Sequence, residues 1–384
     1  AGMVATVASL VLATGFCAVA QGRPLFRRLE RFLAPLLAAP HAAVAIGFAF
    51  LIAPSGWLAR LVSPWLTGWE QPPALVTTQD PLGLAFAAGL LLKETPYLVL
   101  VLIAASSQVA TQPTIAAARA MGSGRITAWL KIVLPQVYPQ ILLPVYAVLA
   151  FSLSVVEVPL ILAPGNPPPL SVLAARWFAN YDVRLYYPAA AAATLQLGLV
   201  IAAIGLWRLA EIVAGRLGTL WIHRGERSGP TARIFAASGA AALVIGALGL
   251  LSILAMAVWS VAAAWRYPEA LPARWTATTW IGNADTLWRP AWATLVVGLT
   301  ASLIAAILTL ACLENEQRRR FHPGASALWL LYLPLLVPQI AFLVGTQVLL
   351  VRLRLDGSWV AVVWAHLLFV LPYVFLSLAD PWRA

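Results

Sequence analysis

Charged residues are scarce in this chain: they make up 10% of its 384 residues, against about 25% in an average soluble domain. This scarcity excludes an ordinary soluble globular protein. Cysteine is nearly absent, and Cys17 and Cys312 each lie in an apolar run, which excludes a disulfide framework and a CxxC metal site. Only two lysines occur and neither follows a glycine, so the chain has no GxxxxGK[ST] nucleotide loop.

Clustered catalytic groups are also missing. The four histidines are scattered without HExxH or paired spacing, so no metal site is predicted. No nucleophile, acid pair or metal set is grouped as an intramembrane enzyme would need. We therefore predict no catalytic residue, no metal and no cofactor.

Apolar residues dominate what is present. They make up 61% of the chain, the mean hydropathy is +0.85, and apolar runs of twenty or more recur. Runs of this length are typical of transmembrane helices, so the sequence predicts an all-α, polytopic membrane protein. We predict nine spans, at 1–20, 33–53, 82–105, 141–163, 187–209, 233–262, 291–312, 326–350 and 358–379.

The basic residues are unevenly divided between the loops. Sixteen of the 25 lie at 21–32, 106–140, 208–233, 313–325 and 380–384, and eight lie in the opposite loops. The positive-inside rule makes the richer side cytoplasmic. The net charge of +11 therefore reflects membrane topology, and no nucleic-acid partner is predicted.

Two parts of the sequence resemble each other at a distance of nearly 300 residues. The matches keep a common order, which favours a parallel internal repeat over the general likeness of apolar spans. They are Pro40 and Gly47 with Pro338 and Gly345, then Pro96-Tyr97 with Pro372-Tyr373.

Completing the repeat gives six helices per half and twelve in all. We predict a first repeat at 1–209 that lacks its first helix, a cytoplasmic linker at 210–232, and a second repeat at 233–384. The counterpart of Ala116 would fall beyond the last residue, so the sequence is interpreted as a fragment that lacks both ends.

The cytoplasmic loop at 113–135 has helix–turn–helix character. Pro113 suits a first helical position, Gly122 a left-handed helix end, and Ser123 the next cap. Pro135 is expected to stop the segment. An apolar stripe can rest on the protein itself or fit a groove in a partner, and the alternative interpretation is an ordinary amphipathic connector. The stripe consists of Ile126, Trp129, Leu130 and Val133.

This loop resembles the signature of ABC-importer permeases, written EAA, three residues, Gly, nine residues, Ile-x-Leu-Pro. Ala116 stands in place of the leading Glu. The remaining positions match: Ala117, Ala118, Gly122, Ile132, Leu134 and Pro135. The segment 151–178 also resembles the family, where a Glu commonly stands at the position of Glu157.

The resemblance implies a type I ABC importer permease of the fused, two-repeat kind, similar to those for thiamine or ferric iron. It implies a coupling loop docked on two separate ATPase subunits, a periplasmic or lipoprotein solute-binding protein, and a multi-pass location in the bacterial inner membrane. The substrate is expected to be a small solute such as thiamine, ferric iron or a polyamine. A secondary transporter with parallel repeats is the alternative.

Three charged residues stand inside or beside the predicted spans: Lys93, Glu94 and Glu157. Charges within a bilayer are costly, so each is expected to face the interior of the bundle. They can line the pathway or form its gate, or they can only lock helix packing. The matched positions of the first two in the second half are Phe369 and Val370, which are apolar.

Overall fold

The structure is a computed structural model that describes residues 1–23, 31, 33–320 and 324–383, with the backbone alone for 325, 326, 329, 380, 381 and 383. Most of the basic loop at 21–32 and residues 321–323 thus lie outside the described residues. Its chain divides into two compact units, the first formed by 1–172 and 201–276 and the second by 173–200 and 277–384.

Helices make up nearly all of the regular structure. The helices are α1 Gly2–Ala20, α2 33–38, α3 His41–Ile52, α4 Trp57–Val62, α5 Leu84–Ser107, α6 Thr111–Ala120, α7 Arg125–Ala128, a π-helix Trp129–Val133, α8 Leu134–Val137, a 3-10 turn Tyr138–Ile141, α9 Leu142–Ser154, α10 Glu157–Leu162, α11 Leu170–Phe178, a 3-10 turn Val183–Leu185, α12 Tyr186–His223, α13 Pro230–Ser260, α14 Thr278–Gly282, α15 Ala284–Arg319, α16 Ala325–Leu336, α17 Gln339–Arg352 and α18 Trp359–Arg383. Two short strands, β1 Ala262–Ala264 and β2 Arg274–Trp275, pair antiparallel.

Eight helices in the described part of the chain are long and apolar enough to cross a membrane, and a bent pair makes a ninth candidate. The prediction of a polytopic helical membrane protein is confirmed. In such a chain the backbone groups must be satisfied without water, which helices do internally. The boundaries shift where helices extend beyond the bilayer, as in α12, which covers 38 residues. The segment predicted as a linker, 210–232, is therefore helical to His223 and irregular only at 224–229.

Two spans break at the prolines that the sequence comparison matched. Helix α2 ends at 38 and α3 begins after Pro40, while α16 ends at Leu336 and α17 begins after Pro338. The second pair is bent by 116°. Both prolines are extended and stand immediately before the new helix, where a missing N–H removes no intrahelical bond.

In the first unit, α13 packs closely against α1 and α3 through glycines. A Cβ at Gly47 of α3 would overlap the carbonyl oxygen of Ser252, and one at Gly239 would lie 2.8 Å from the carbonyl oxygen of Gly15. Small residues at such crossings let helix backbones approach in a membrane. Helix α13, which the sequence predicts to open the second repeat, packs within the first unit.

A buried arginine fastens the segment that follows α13. Arg60 of α4 donates hydrogen bonds to the carbonyls of Arg266 and Glu269, at 2.8 and 3.4 Å, and its guanidinium lies over the ring of Trp265. The indole of Trp57 donates to the carbonyl of Ala270 at 2.9 Å. These bonds hold the β1–β2 hairpin against the end of α3 and α4.

The second unit is built on the pairing of α15 with α18. Val297 and Ala301 pack on Val363, and farther along Leu313 packs on Phe375 and Ala379. Helices α16 and α17 contact α18 as well. In the first unit α1 packs along α5 in the same way, and the sequence comparison matches α5 with α18.

Substitution of Gly47 tests the close packing of α3 on α13. Gly47→Ala forces a methyl group against the backbone at Ser252, so the two helices must separate. Overpacking of this kind costs about 1–3 kcal/mol. We expect a lower apparent melting temperature of the detergent-solubilised protein.

The matched residue Gly345 supplies the control. Its added Cβ meets no described atom within 4 Å, so Gly345→Ala should leave the melting temperature unchanged or slightly raised. An equal decrease in melting temperature in Gly47→Ala and Gly345→Ala would contradict the packing described for α3 and α13.

Candidate functional site

The loop at 113–135 turns sharply at Gly122, which has φ +85°. The amide of Gly122 donates to the carbonyl of Arg119, and the amide of Ser123 donates to the carbonyl of Ala118. These two bonds are the Schellman pattern that ends a helix with a left-handed residue. The prediction for Gly122 is therefore correct in conformation.

Helix α6 presents two different faces. Thr111, Ile115 and Ala118 are buried against the protein. Ala116 and Ala117 face outward with Met121, whose side chain is 66% exposed. The signature residues thus divide: Ala118 anchors the helix, whereas Ala116 and Ala117 form part of a smooth surface that is open to contact.

Two local predictions about the loop were wrong. Gly124, not Ser123, is the cap residue of α7, and no side chain bonds to the first turn. Pro135 does not stop the segment, because the helical run continues from Arg125 to Ser154. A π-helix precedes the proline, with the amide of Leu134 donating to the carbonyl of Trp129, and this wider turn accommodates the ring. Pro113 is the third residue of α6, still within the first turn.

The apolar stripe of the loop packs on the protein itself. Trp129 is fully buried, and its indole donates to Gln21 Oε1 at 2.7 Å. Gln21 Nε2 in turn donates to Ser106 Oγ at 2.5 Å, and Arg125 donates to the carbonyl of Gln21. Gln21 therefore joins the ends of α1 and α5 to the start of the helical run at Arg125. Sequence analysis missed this residue because its partners are distant in the chain.

The turn after α12 covers the other side of the loop. Lys131 Nζ donates to the carbonyls of Trp221 and Glu226, at 3.1 and 2.8 Å, and lies 4.5 Å from the centre of the Trp221 ring. The amide of Gly124 donates to the carbonyl of Arg227 at 2.7 Å. Of the other signature residues, Ile132 and Leu134 are half-buried and Pro135 is exposed.

Lys93 satisfies the end of the broken helix α2. Its ammonium donates to the carbonyls of Leu36, Leu37 and Ala39, at 2.6, 3.1 and 2.6 Å. These carbonyls precede Pro40, where the intrahelical bonds stop. The charge thus replaces hydrogen bonds that the break removes, which is a positioning role.

Glu94 points elsewhere and joins three helices. Ser9 of α1 donates to its carboxylate at 3.3 Å, and Ser152 of α9 donates to the other oxygen. Thr95 donates to Ser9 at 3.3 Å, and Thr6 shares a hydrogen bond with Ser152. All five side chains are buried. Glu157 lies apart from them, exposed in the first turn of α10, so the expectation that it faces the interior of the bundle was wrong.

A second acidic cluster was not predicted. Glu211 of α12 accepts hydrogen bonds from the hydroxyls of Tyr138 and Tyr146, at 2.7 and 2.9 Å, and pairs with Arg208 at 2.9 Å. The cluster ties α12 to the helical run that follows the loop. A Glu just beyond the predicted span 187–209, four residues after a Trp, was its only sequence signal.

No group of three or more potential metal ligands occurs among the residues that the structure describes. The two carboxylate clusters of the first unit, around Glu94 and Glu211, each hold one carboxylate bonded by hydroxyl groups.

Comparison with known proteins gives one informative relative. An inner membrane ABC transporter permease protein of Escherichia coli (strain K12), YnjC, is 28% identical over 380 residues, which cover 99% of this chain. The resemblance to ABC transporter permeases is confirmed. The chain spans 66%, just under two thirds, of that relative's length. No family model and no solved structure matches the chain.

The location follows from the same observations. The relative is an inner membrane protein, and the present chain has eight candidate membrane-spanning helices in its described part. The expected multi-pass location in the inner membrane is confirmed.

Replacement of Lys93 separates a positioning role from a role in lining a pathway. Lys93→Met keeps the length of the side chain but leaves the carbonyls of Leu36, Leu37 and Ala39 without their donor. An unsatisfied buried acceptor costs about 1–3 kcal/mol. We expect a melting temperature several degrees lower than that of the unmodified protein, measured in detergent.

Arg216→Met is the control, since it removes a charge from an exposed position of α12. A Lys93→Met protein as stable as this control would rule out the positioning role.

Proposed function

We propose that this chain is the membrane-spanning subunit of an ATP-driven ABC importer, coupled to separate ATPase subunits through the loop at 113–135. One observation carries the proposal. The segment with the signature spacing forms a short surface helix, α6, whose outward alanines are accessible and whose end is fixed by Gly122. The permease relative supports the same assignment.

The contacts of the loop suit the transmission of force. A partner that binds Ala116, Ala117 and Met121 displaces α6. This helix is packed on the rest of the protein through Ile115 and Ala118. The tight turn at Gly122 passes that displacement to the helical run that begins at Arg125. Gln21 and the carboxylate of Glu211 then join this run to α1, α5 and α12. Binding energy at the surface can thus shift the bundle between two arrangements.

Other parts of the proposal rest on the resemblance. Two six-helix repeats, divided at 1–209, 210–232 and 233–384, are supported by the matched helix breaks at Pro40 and Pro338. The partners are two ATPase subunits and a solute-binding protein, periplasmic or lipid-anchored, with the bilayer around the bundle. The cargo is a small solute of the thiamine, ferric-iron or polyamine kind. Hydrolysis occurs in the ATPase, so this subunit is not an enzyme and needs no cofactor.

The direct test is co-purification with a candidate ABC ATPase subunit. Ala117→Arg places a bulky charge on the outward face of α6 without entering the buried face. We expect the tagged variant to lose most of the bound ATPase while its melting temperature stays unchanged. Gly122→Arg should also lose it, because the left-handed backbone at this position disfavours a side chain.

Ala210→Arg is the matched control, since Ala210 is an exposed alanine of α12 outside the loop. ATPase retained by this control and lost by Ala117→Arg supports the proposal. If neither the unmodified protein nor the control holds the ATPase, the secondary transporter becomes the better explanation.

A further inference from the structure

A basic cleft of about 550 Å³ opens beside the end of α6. Three arginines line it: Arg23 beyond the end of α1, Arg119 in the last turn of α6, and Arg125 at the start of α7. The chain from Gly122 to Gly124 and the side chain of Ser228 complete the walls. The guanidinium of Arg227 is also near, since a Cβ at Gly122 would lie 3.5 Å from its Nη1.

No carboxylate neutralises these arginines within the described part of the chain. The ion pairs found there join Arg184 to Asp182, Arg208 to Glu211, and Arg318 to Glu314. Glu226, in the turn that covers the loop, accepts a hydrogen bond from the indole of Trp221 at 2.8 Å. Arg23 and Arg119 lie close enough to Arg125 for their positive charges to repel its own.

Arg125 is held in place yet incompletely bonded. It donates to the carbonyl of Gln21, which fixes the guanidinium at the wall of the cleft. Its Nε is buried and has no hydrogen-bond partner among the described residues. The helical run Arg125–Ser154 also begins here with no side chain bonded to its first turn, so the partial positive charge of a helix start is added.

The chemistry of this cleft suits a tetrahedral oxyanion. Guanidinium groups bind phosphate oxygens through paired hydrogen bonds, and several of them around one site lower their mutual repulsion when an anion enters. The two non-bridging oxygens of a phosphodiester can each accept hydrogen bonds from more than one guanidinium, and a free phosphate presents further oxygens.

The position of the cleft indicates where the phosphate comes from. Arg23 stands three residues beyond the end of α1, and Arg125 begins a helical run that is long and apolar enough to cross a membrane. Both lie on the side of the chain that is rich in basic residues, at the level where apolar helices end. The phosphates of a lipid bilayer lie at this boundary, and anionic headgroups attract juxtamembrane arginines.

We propose that the cleft formed by Arg23, Arg119 and Arg125 is a binding site for a phosphate group, supplied by the headgroup of an anionic phospholipid. A free phosphate ion shares this chemistry and is the other source. The site is distinct from the outward face of α6 and does not depend on the proposed coupling to an ATPase.

The test is a lipid titration of the purified protein in detergent, followed by native mass spectrometry. Phosphatidylglycerol should bind about tenfold more tightly than phosphatidylcholine. The double variant Arg23→Gln/Arg119→Gln should weaken phosphatidylglycerol binding by about tenfold or more, because each arginine near an anionic headgroup contributes. Arg119→Lys should weaken phosphatidylglycerol binding less, because lysine keeps the positive charge but lacks the planar guanidinium that forms paired hydrogen bonds.

Arg216→Gln is the matched control, because it removes an exposed arginine outside the cleft. It should bind phosphatidylglycerol as the unmodified protein does, and the melting temperatures of all variants without lipid should agree. A second titration with inorganic phosphate alone distinguishes the sources. Phosphate that binds or displaces the lipid in an arginine-dependent way supports the site and points to a soluble anion.

Two results would overturn the proposal. One is equal binding of both lipids together with no arginine-dependent effect of inorganic phosphate. The other is a loss of phosphatidylglycerol in Arg216→Gln as large as in the double variant, which would show that only the total charge of the protein matters.

Discussion

Every interruption of a membrane helix must find a substitute for the hydrogen bonds that it removes, and this constraint governs the first unit. At Pro40 the substitute is the ammonium of Lys93, which reaches three carbonyls of the preceding turn. Ahead of Pro135 it is a π-helix that widens the turn. Bends can thus exist in an apolar medium without leaving backbone groups unpaired.

Close helix packing is a second condition, because hydrogen bonds between side chains of different helices form only when the helices lie near one another. Gly15, Gly47 and Gly239 bring α13 within backbone contact of α1 and α3. Helix α1 then presents Thr6 and Ser9 to the carboxylate cluster around Glu94. The predicted repeat and the packing therefore divide the chain differently, since α13 is predicted to belong to the second repeat but packs within the first unit.

Features set by local sequence were predictable, and features set by distant partners were not. The lengths of the apolar runs predicted where the membrane spans lie. The left-handed turn at Gly122 was predicted because a glycine often ends a helix in this conformation. The prediction for Pro135 was wrong because a helix can accommodate a proline in a wider turn. The proline alone does not indicate whether the helix ends or continues. The carbonyls that bond Lys93 lie more than fifty residues away. The roles of Gln21 and Glu211 likewise depend on helices that meet only in the fold.

The charge of Lys93 makes the two matched helix breaks physically unequal. In the first unit the end of α2 is held by charge-assisted hydrogen bonds, each worth about 1.5–3 kcal/mol. In the second unit Phe369 occupies the position that matches Lys93, and its ring meets Phe342 of α17 at 5.7 Å, edge to face. Such an aromatic contact contributes about 0.5–1.5 kcal/mol and leaves the carbonyls before Pro338 without a charged donor from that position. The same proline break is therefore held more firmly in the first unit, and matched sequence positions do not imply matched mechanical behaviour.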